Sequence, residues 1–450
     1  MRQSDRSLTP GGRLLISFLF LWYVLPGVAC LLFSNIEFPF RWSADRQIVW
    51  GIMVACVACV ALPALLLRTV HTSIIGFPVI VKSWGLALVT LTTAVFGVYL
   101  IMSRSTNWRY GGGFLGDQIE GGEGSILLIA IAIQSMVPLL PWWLILVRPR
   151  LWMSNTVWGV GIRVAIVTTS VVNINGLATA ISAAMTLIWM LLPSISEPIL
   201  FGRRVRKVFR IWTLIAWPIL VVAIVGLAYQ GMSAKTGRTD DSETWESHTS
   251  IHYFVGRLSV HFQHAMGALE DNWDNNVTWD TTRELFAIPL GTCWYRANVL
   301  MGVQKSVDRP ETPSLSRVNL ERFATFDVSR NLRNGASPGL IGTIGLCFPL
   351  AVIPLACLAA GTCFICFFDW FLRPLPRLGW IGCLCFAYGP VRVLTDSPLD
   401  VLNIINSVTP ILLFVCLLRV WIGRRLRQAE GTSLRFAQRE KSTLPQLAHK

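Results

Sequence analysis

Charge is what this chain has least of. Only 14% of its 450 residues are Asp, Glu, Lys or Arg, against 53% hydrophobic, and mean hydropathy is +0.54. A soluble core does not absorb that much apolar sequence. Nucleotide fingerprints are missing too. There is no Walker A loop, no dinucleotide-binding glycine motif and no His-Glu-x-x-His metalloprotease helix. These absences speak against ATP and nicotinamide chemistry. No inverted repeat is visible, because seven expected spans precede the one long polar segment and three follow it.

What is there is membrane sequence. Several apolar runs reach the roughly 18 to 20 residues that cross a bilayer as helix. Ten spans are expected, at about 14–33, 48–67, 83–102, 125–147, 156–173, 175–195, 210–230, 338–368, 378–393 and 401–422. The division of 156–195 falls at Asn173-Ile-Asn-Gly176. The expected fold is an all-α polytopic membrane protein of about ten transmembrane helices with one large extracytoplasmic loop. Its parts are a seven-span region (1–230), the loop (231–337), a three-span region (338–423) and a basic tail (424–450).

The net charge of +14 is a matter of sidedness, not of nucleic-acid binding. With the N-terminus cytoplasmic, the short inner loops carry eleven Lys and Arg, including Arg203, Arg204, Arg206 and Lys207. The short outer loops carry five: Arg41, Arg46, Arg104, Arg109 and Arg392. This positive-inside bias puts both termini in the cytoplasm and the 231–337 loop outside. The first apolar run is expected to be an anchor, since no small-residue cleavage pattern follows it. Of 11 cysteines, ten lie in or beside spans and only Cys293 in the loop. Cys56/Cys59 and Cys363/Cys366 have CxxC spacing, yet in mid-membrane they are most simply small packing residues.

The polar loop holds thirteen of the 25 acidic residues and also Trp245, Trp273, Trp279 and Trp294. Aromatics among charges fit a folded cap, helices on the membrane surface, or an interfacial belt. A second outer loop, 103–124, is Gly-rich and flexible. Gly335-Ala-Ser-Pro-Gly-Leu-Ile-Gly342 opens the eighth span, with Ser337 expected as N-cap and Pro338 in the first turn. The free N–H groups of such an end favour phosphates, and Arg330 and Arg333 lie just before it. An ordinary capped helix with surface arginines explains the same residues. Arg257 is followed by His261 and His264, which a helix would bring near one another. Histidine serves as general base near neutrality. His248 and His252 have metal-ligand spacing without a third ligand, and surface histidines explain them more simply. Arg163 is either a functional intramembrane charge or a side chain reaching the cytoplasmic surface.

In architecture, and in Gly256-Arg-Leu-Ser259, the Phe286 to Arg296 stretch and Gly335 to Gly342, the chain resembles the O-antigen and exopolysaccharide polymerases (Wzy type, oligosaccharide repeat unit polymerases). The resemblance implies glycosyl transfer from undecaprenyl diphosphate at the outer face of the cytoplasmic membrane. It also implies lipid-linked repeat units and membrane lipids as partners, a chain-length regulator, and no cofactor. Arg257, Arg330 and Arg333 with the Ser337–Gly339 helix start would then meet the leaving diphosphate. His261, His264 or Asp327 would take the acceptor proton. Arg296 and Arg392 complete the expected substrate-binding set. A ligase of related architecture, a flippase or transporter, and a membrane protein whose loop only binds a partner are the alternatives. A flippase needs charge spread through many spans, and here nearly all the charge lies outside them.

Overall fold

The computed structural model describes residues 7–32, 46–69, 137–147, 149–172, 177–201, 259–303, 318–319, 322, 338–372, 379, 382–384, 398–399, 416 and 420. These are mostly helical. Among the described residues, three helices are long and apolar enough to cross a bilayer: α1 (Pro10–Leu32), α2 (Gln47–Leu66) and the span Leu350–Leu372. The last consists of a 3₁₀ turn, Leu350–Val352, and a helix, Ile353–Leu372. Leu31, Val54, Leu66 and Leu355 on these helices point outward, which suits a molecule solvated by hydrocarbon. Helices of this kind mark a membrane protein.

Between the second and third of these spans lie α3 (Leu140–Val147), α4 (Pro149–Met153), α5 (Val157–Val172), α6 (Leu177–Leu191) and α7 (Pro193–Leu200). Then come α8 (Val260–Asn275), α9 (Trp279–Leu300) and α10 (Gly339–Cys347), and α11 is Ile353–Leu372. The stretch expected to hold two spans, 156–195, contains the helices α5 and α6, and the expected dividing point, 173–176, lies outside the described residues. The expected run 338–368 is not one helix. It breaks after α10 at Phe348 and Pro349, because Phe348 is extended (φ −121°, ψ 141°), as a residue before proline prefers.

α1 runs antiparallel to α2 and α11. Its N-cap Thr9 accepts from Gly12 N–H at 2.9 Å, and Pro10 occupies the first turn. Asp369, near the end of α11, accepts from Gly11 N–H at 2.7 Å. That puts a carboxyl group at the positive end of α1. A Cβ on Gly12 would touch Ala64, near the end of α2. The short pairing of β1 (Ser7–Leu8) with β2 (Arg68–Thr69) ties the same ends together. At the other end, a Cβ on Gly27 would stand 3.0 Å from the Phe262 ring of α8, and Trp50 of α2 packs on that ring at 5.3 Å. Arg46, just before α2, ion-pairs with Glu270 and Asp274 of α8. Its hydrogen bond to Asp274 holds the guanidinium above its ordinary pKa.

Phe20–Val24 within α1 is a π turn, placed just ahead of Pro26. Proline takes no part as donor, and the wider turn absorbs the mismatch. The buried Tyr23 lies in this turn.

Candidate functional site

α10 is nine residues long and buried at every position. At about 1.5 Å per residue it is far too short to span a bilayer. It lies inside the protein, packed against α8. Glycines permit this. A Cβ on Gly342 would stand 3.4 Å from Ala265 N and Cα, and one on Gly345 would stand 3.2 Å from Leu269 Cδ2 and 3.3 Å from Ala268 Cβ. Small residues facing each other let two backbones approach closely. α8 is correspondingly buried without interruption from Phe262 to Leu269. Part of the segment expected as a polar outer loop is therefore interior.

A buried helix end needs partners for its carbonyls. Pro349 has no N–H to give Gly345 O, four residues earlier. Asn272 Nδ2 of α8 supplies donors instead, to Gly345 O and to Phe348 O, both at 2.7 Å. Thr282 Oγ1 of α9 donates to Cys347 O. The carbonyl end of α10 is thus closed by the two helices that precede it.

The amino end of α10 is built from three distant segments. Gly339 has φ +72°, a conformation that glycine adopts without strain. Pro338 occupies the N-cap position, one residue later than the cap expected at Ser337. Ile341 N–H donates to Tyr23 Oη at 3.1 Å. A Cβ on Gly339 would stand 2.9 Å from Tyr23 Oη, 3.3 Å from His261 Cβ and 3.5 Å from His261 Nδ1. The tyrosine of α1 and the first-turn histidine of α8 therefore flank the helix start, and a side chain at 339 would have to displace the tyrosine hydroxyl. A helix start of this kind carries partial positive charge.

Of the expected site residues, His261 and Gly339 are brought together here. His264 lies one turn further along α8 and is fully buried, its backbone beside Gly342 in the first turn of α10. Arg296 lies on α9. Arg257, Asp327, Arg330, Arg333, Ser337 and Arg392 lie outside the described residues, as do His248 and His252. Among the described residues no group of three His, Cys, Asp or Glu is arranged to hold a metal ion. Tyr23, Asn272 and Thr282 were not expected at the site. Their partners are distant in sequence, so no local pattern marks them; the one signal was a tyrosine three residues before a proline inside an apolar run.

Arg163 is settled by its partners. It is 6% exposed and donates to Gly159 O (3.3 Å), Ser154 O (2.9 Å) and Met190 O (3.4 Å). It neither reaches a surface nor faces α10. It braces a second break, where α6 and α7 meet at 111°.

Comparison with family models, with curated proteins and with solved structures gives no match.

Proposed function

We propose that this protein polymerises undecaprenyl-diphosphate-linked oligosaccharide repeat units on the outer face of the cytoplasmic membrane. The observation that carries the reading is the enclosed start of α10, flanked by His261 and Tyr23. An amide-rich, positive helix end in apolar surroundings suits a departing diphosphate, which needs charge stabilisation and carries its own leaving-group chemistry. The finer architecture belongs to the same proposal: about ten spans, both termini cytoplasmic and 231–337 outside. The antiparallel order of α1 against α2 and α11 agrees with it. So does the pairing of Arg46, in an expected outer loop, with Glu270 and Asp274.

In this reading the donor glycan leaves its lipid diphosphate as an acceptor hydroxyl attacks the anomeric carbon. His261 is the better base of the two histidines, since its ring nitrogen Nδ1 stands beside Gly339 at the helix start. Arg257, Arg330 and Arg333 remain the proposed diphosphate clamps, with Asp327 a second candidate base and Arg296 and Arg392 outer contacts.

The test is the size distribution of lipid-linked and surface glycans in a strain lacking the protein. Single repeat units should accumulate and long chains vanish, and His261→Ala should reproduce that pattern. Arg257→Lys and Arg333→Lys should each impair chain growth, because lysine loses the bidentate contact. Long chains that persist on the carrier but are not transferred would make the protein a ligase. Unchanged glycans would remove the glycosyl-transfer reading.

A further inference from the structure

We propose that Cys56 and Cys357 are a bondable pair, which hydrogen peroxide joins into a disulfide fixing α2 to α11. Both cysteines are buried, and their side chains hydrogen-bond to each other. Cys56 lies midway along α2 and Cys357 in the second turn of α11. One turn further along each helix the backbones themselves meet: a Cβ on Gly361 would collide with the carbonyl of Val60. Equal steps of four residues on both helices mean that they run parallel here and keep register. Helices this close bring facing Cβ atoms toward the roughly 3.5 to 4.5 Å that a disulfide needs.

Cys59 sits near the same level, half-buried and within electrostatic reach of Cys357. Three thiols together raise the question of a soft metal. Among the described residues, however, no such group is arranged to hold one. Sulfur–sulfur chemistry is what the geometry leaves. One thiol attacks the peroxide: an S–O bond forms, the O–O bond breaks and water leaves with the thiol proton. The second sulfur then displaces hydroxide from the sulfenic sulfur: S–S forms, S–O breaks, and a second water carries off the second proton. The two sulfurs lose the two electrons that the peroxide oxygens gain. The held contact makes the second step fast. None of this depends on the glycan reading.

The experiment uses the full chain in membrane vesicles, with a protease site inserted after Gly237. Vesicles are treated with hydrogen peroxide, capped with N-ethylmaleimide, cleaved and run on a denaturing gel without reductant. The two halves should stay joined and part on adding dithiothreitol. They should part without it in Cys56→Ser and in Cys357→Ser, with Cys56→Ala and Cys357→Ala as second variants should serine disturb folding. Cys59→Ser should leave the link intact. Halves that separate after peroxide would show inert packing cysteines and overturn the proposal. So would a link that survives loss of Cys56 or Cys357, or one lost with Cys59.

Discussion

Asn272 serves two carbonyls that nothing else in the described residues is seen to serve, one of them abandoned by Pro349. Asn272→Ala should cost about 2 kcal/mol or more of stability, because a buried acceptor left without a donor loses its solvation as well as its bond. Asn272→Asp should be no better, since a carboxylate has no N–H to offer. Denaturant or thermal unfolding in detergent measures both. Gly339 makes a second residue-scale case. Gly339→Ala must hold φ +72°, at a cost of roughly 1 to 2 kcal/mol, and must also crowd Tyr23 Oη. Tyr23→Phe removes that oxygen. The alanine should therefore cost less in the Tyr23→Phe background than in the parent, a coupling that a double-mutant cycle reads directly. Additive effects would mean that the hydroxyl is not what the Cβ meets.

The two breaks in helical structure share one cause. Pro193 cannot donate to Trp189 O, and Trp152 Nε1 takes that carbonyl at 2.7 Å. Arg163 takes Met190 O, and Ser196 Oγ reaches Ile188 O at 3.2 Å. In each break a proline deprives the carbonyl four residues earlier, and a side chain from another helix fills the deficit. Irregular backbone at membrane depth survives only where protein satisfies it. Trp152→Phe removes the donor together with the second ring of a fully buried side chain. It should destabilise by about 1 to 3 kcal/mol, and unfolding in detergent that matches the parent would contradict the account. The contact between α8 and α10 makes the other element-scale prediction. Gly345→Ala adds a methyl at 3.2 to 3.4 Å from Leu269 and Ala268, which small shifts absorb. Gly345→Leu has no such room and should prevent stable assembly, read as loss of the folded peak in detergent size-exclusion.

At the scale of the molecule, the proposed sidedness is tested by labelling. In a Cys293→Ser chain, a cysteine at Ser242 should react with a membrane-impermeant maleimide in intact cells. Cysteines at Ser4 and Ser442 should react only after lysis. Labelling of all three alike would overturn the arrangement. The sequence by itself determined the class. Apolar runs of bilayer length have few ways to satisfy their backbone except as helices, so α1, α2 and the span Leu350–Leu372 were legible in composition alone. It also offered His261 and His264 alike, and Gly339, as candidates, because histidines following an arginine and a proline-glycine helix start are local patterns. It did not determine that 339–347 stops short and turns inward, or that 260–275 leaves the polar loop to cover it. Those depend on Asn272, Thr282 and Tyr23 meeting backbone groups far away in the chain. Burial and hydrogen-bond satisfaction are properties of the assembled set. Only the tertiary structure decided which proline breaks a helix harmlessly, which arginine is a brace, and that the His261 ring stands beside Gly339 and the Tyr23 hydroxyl.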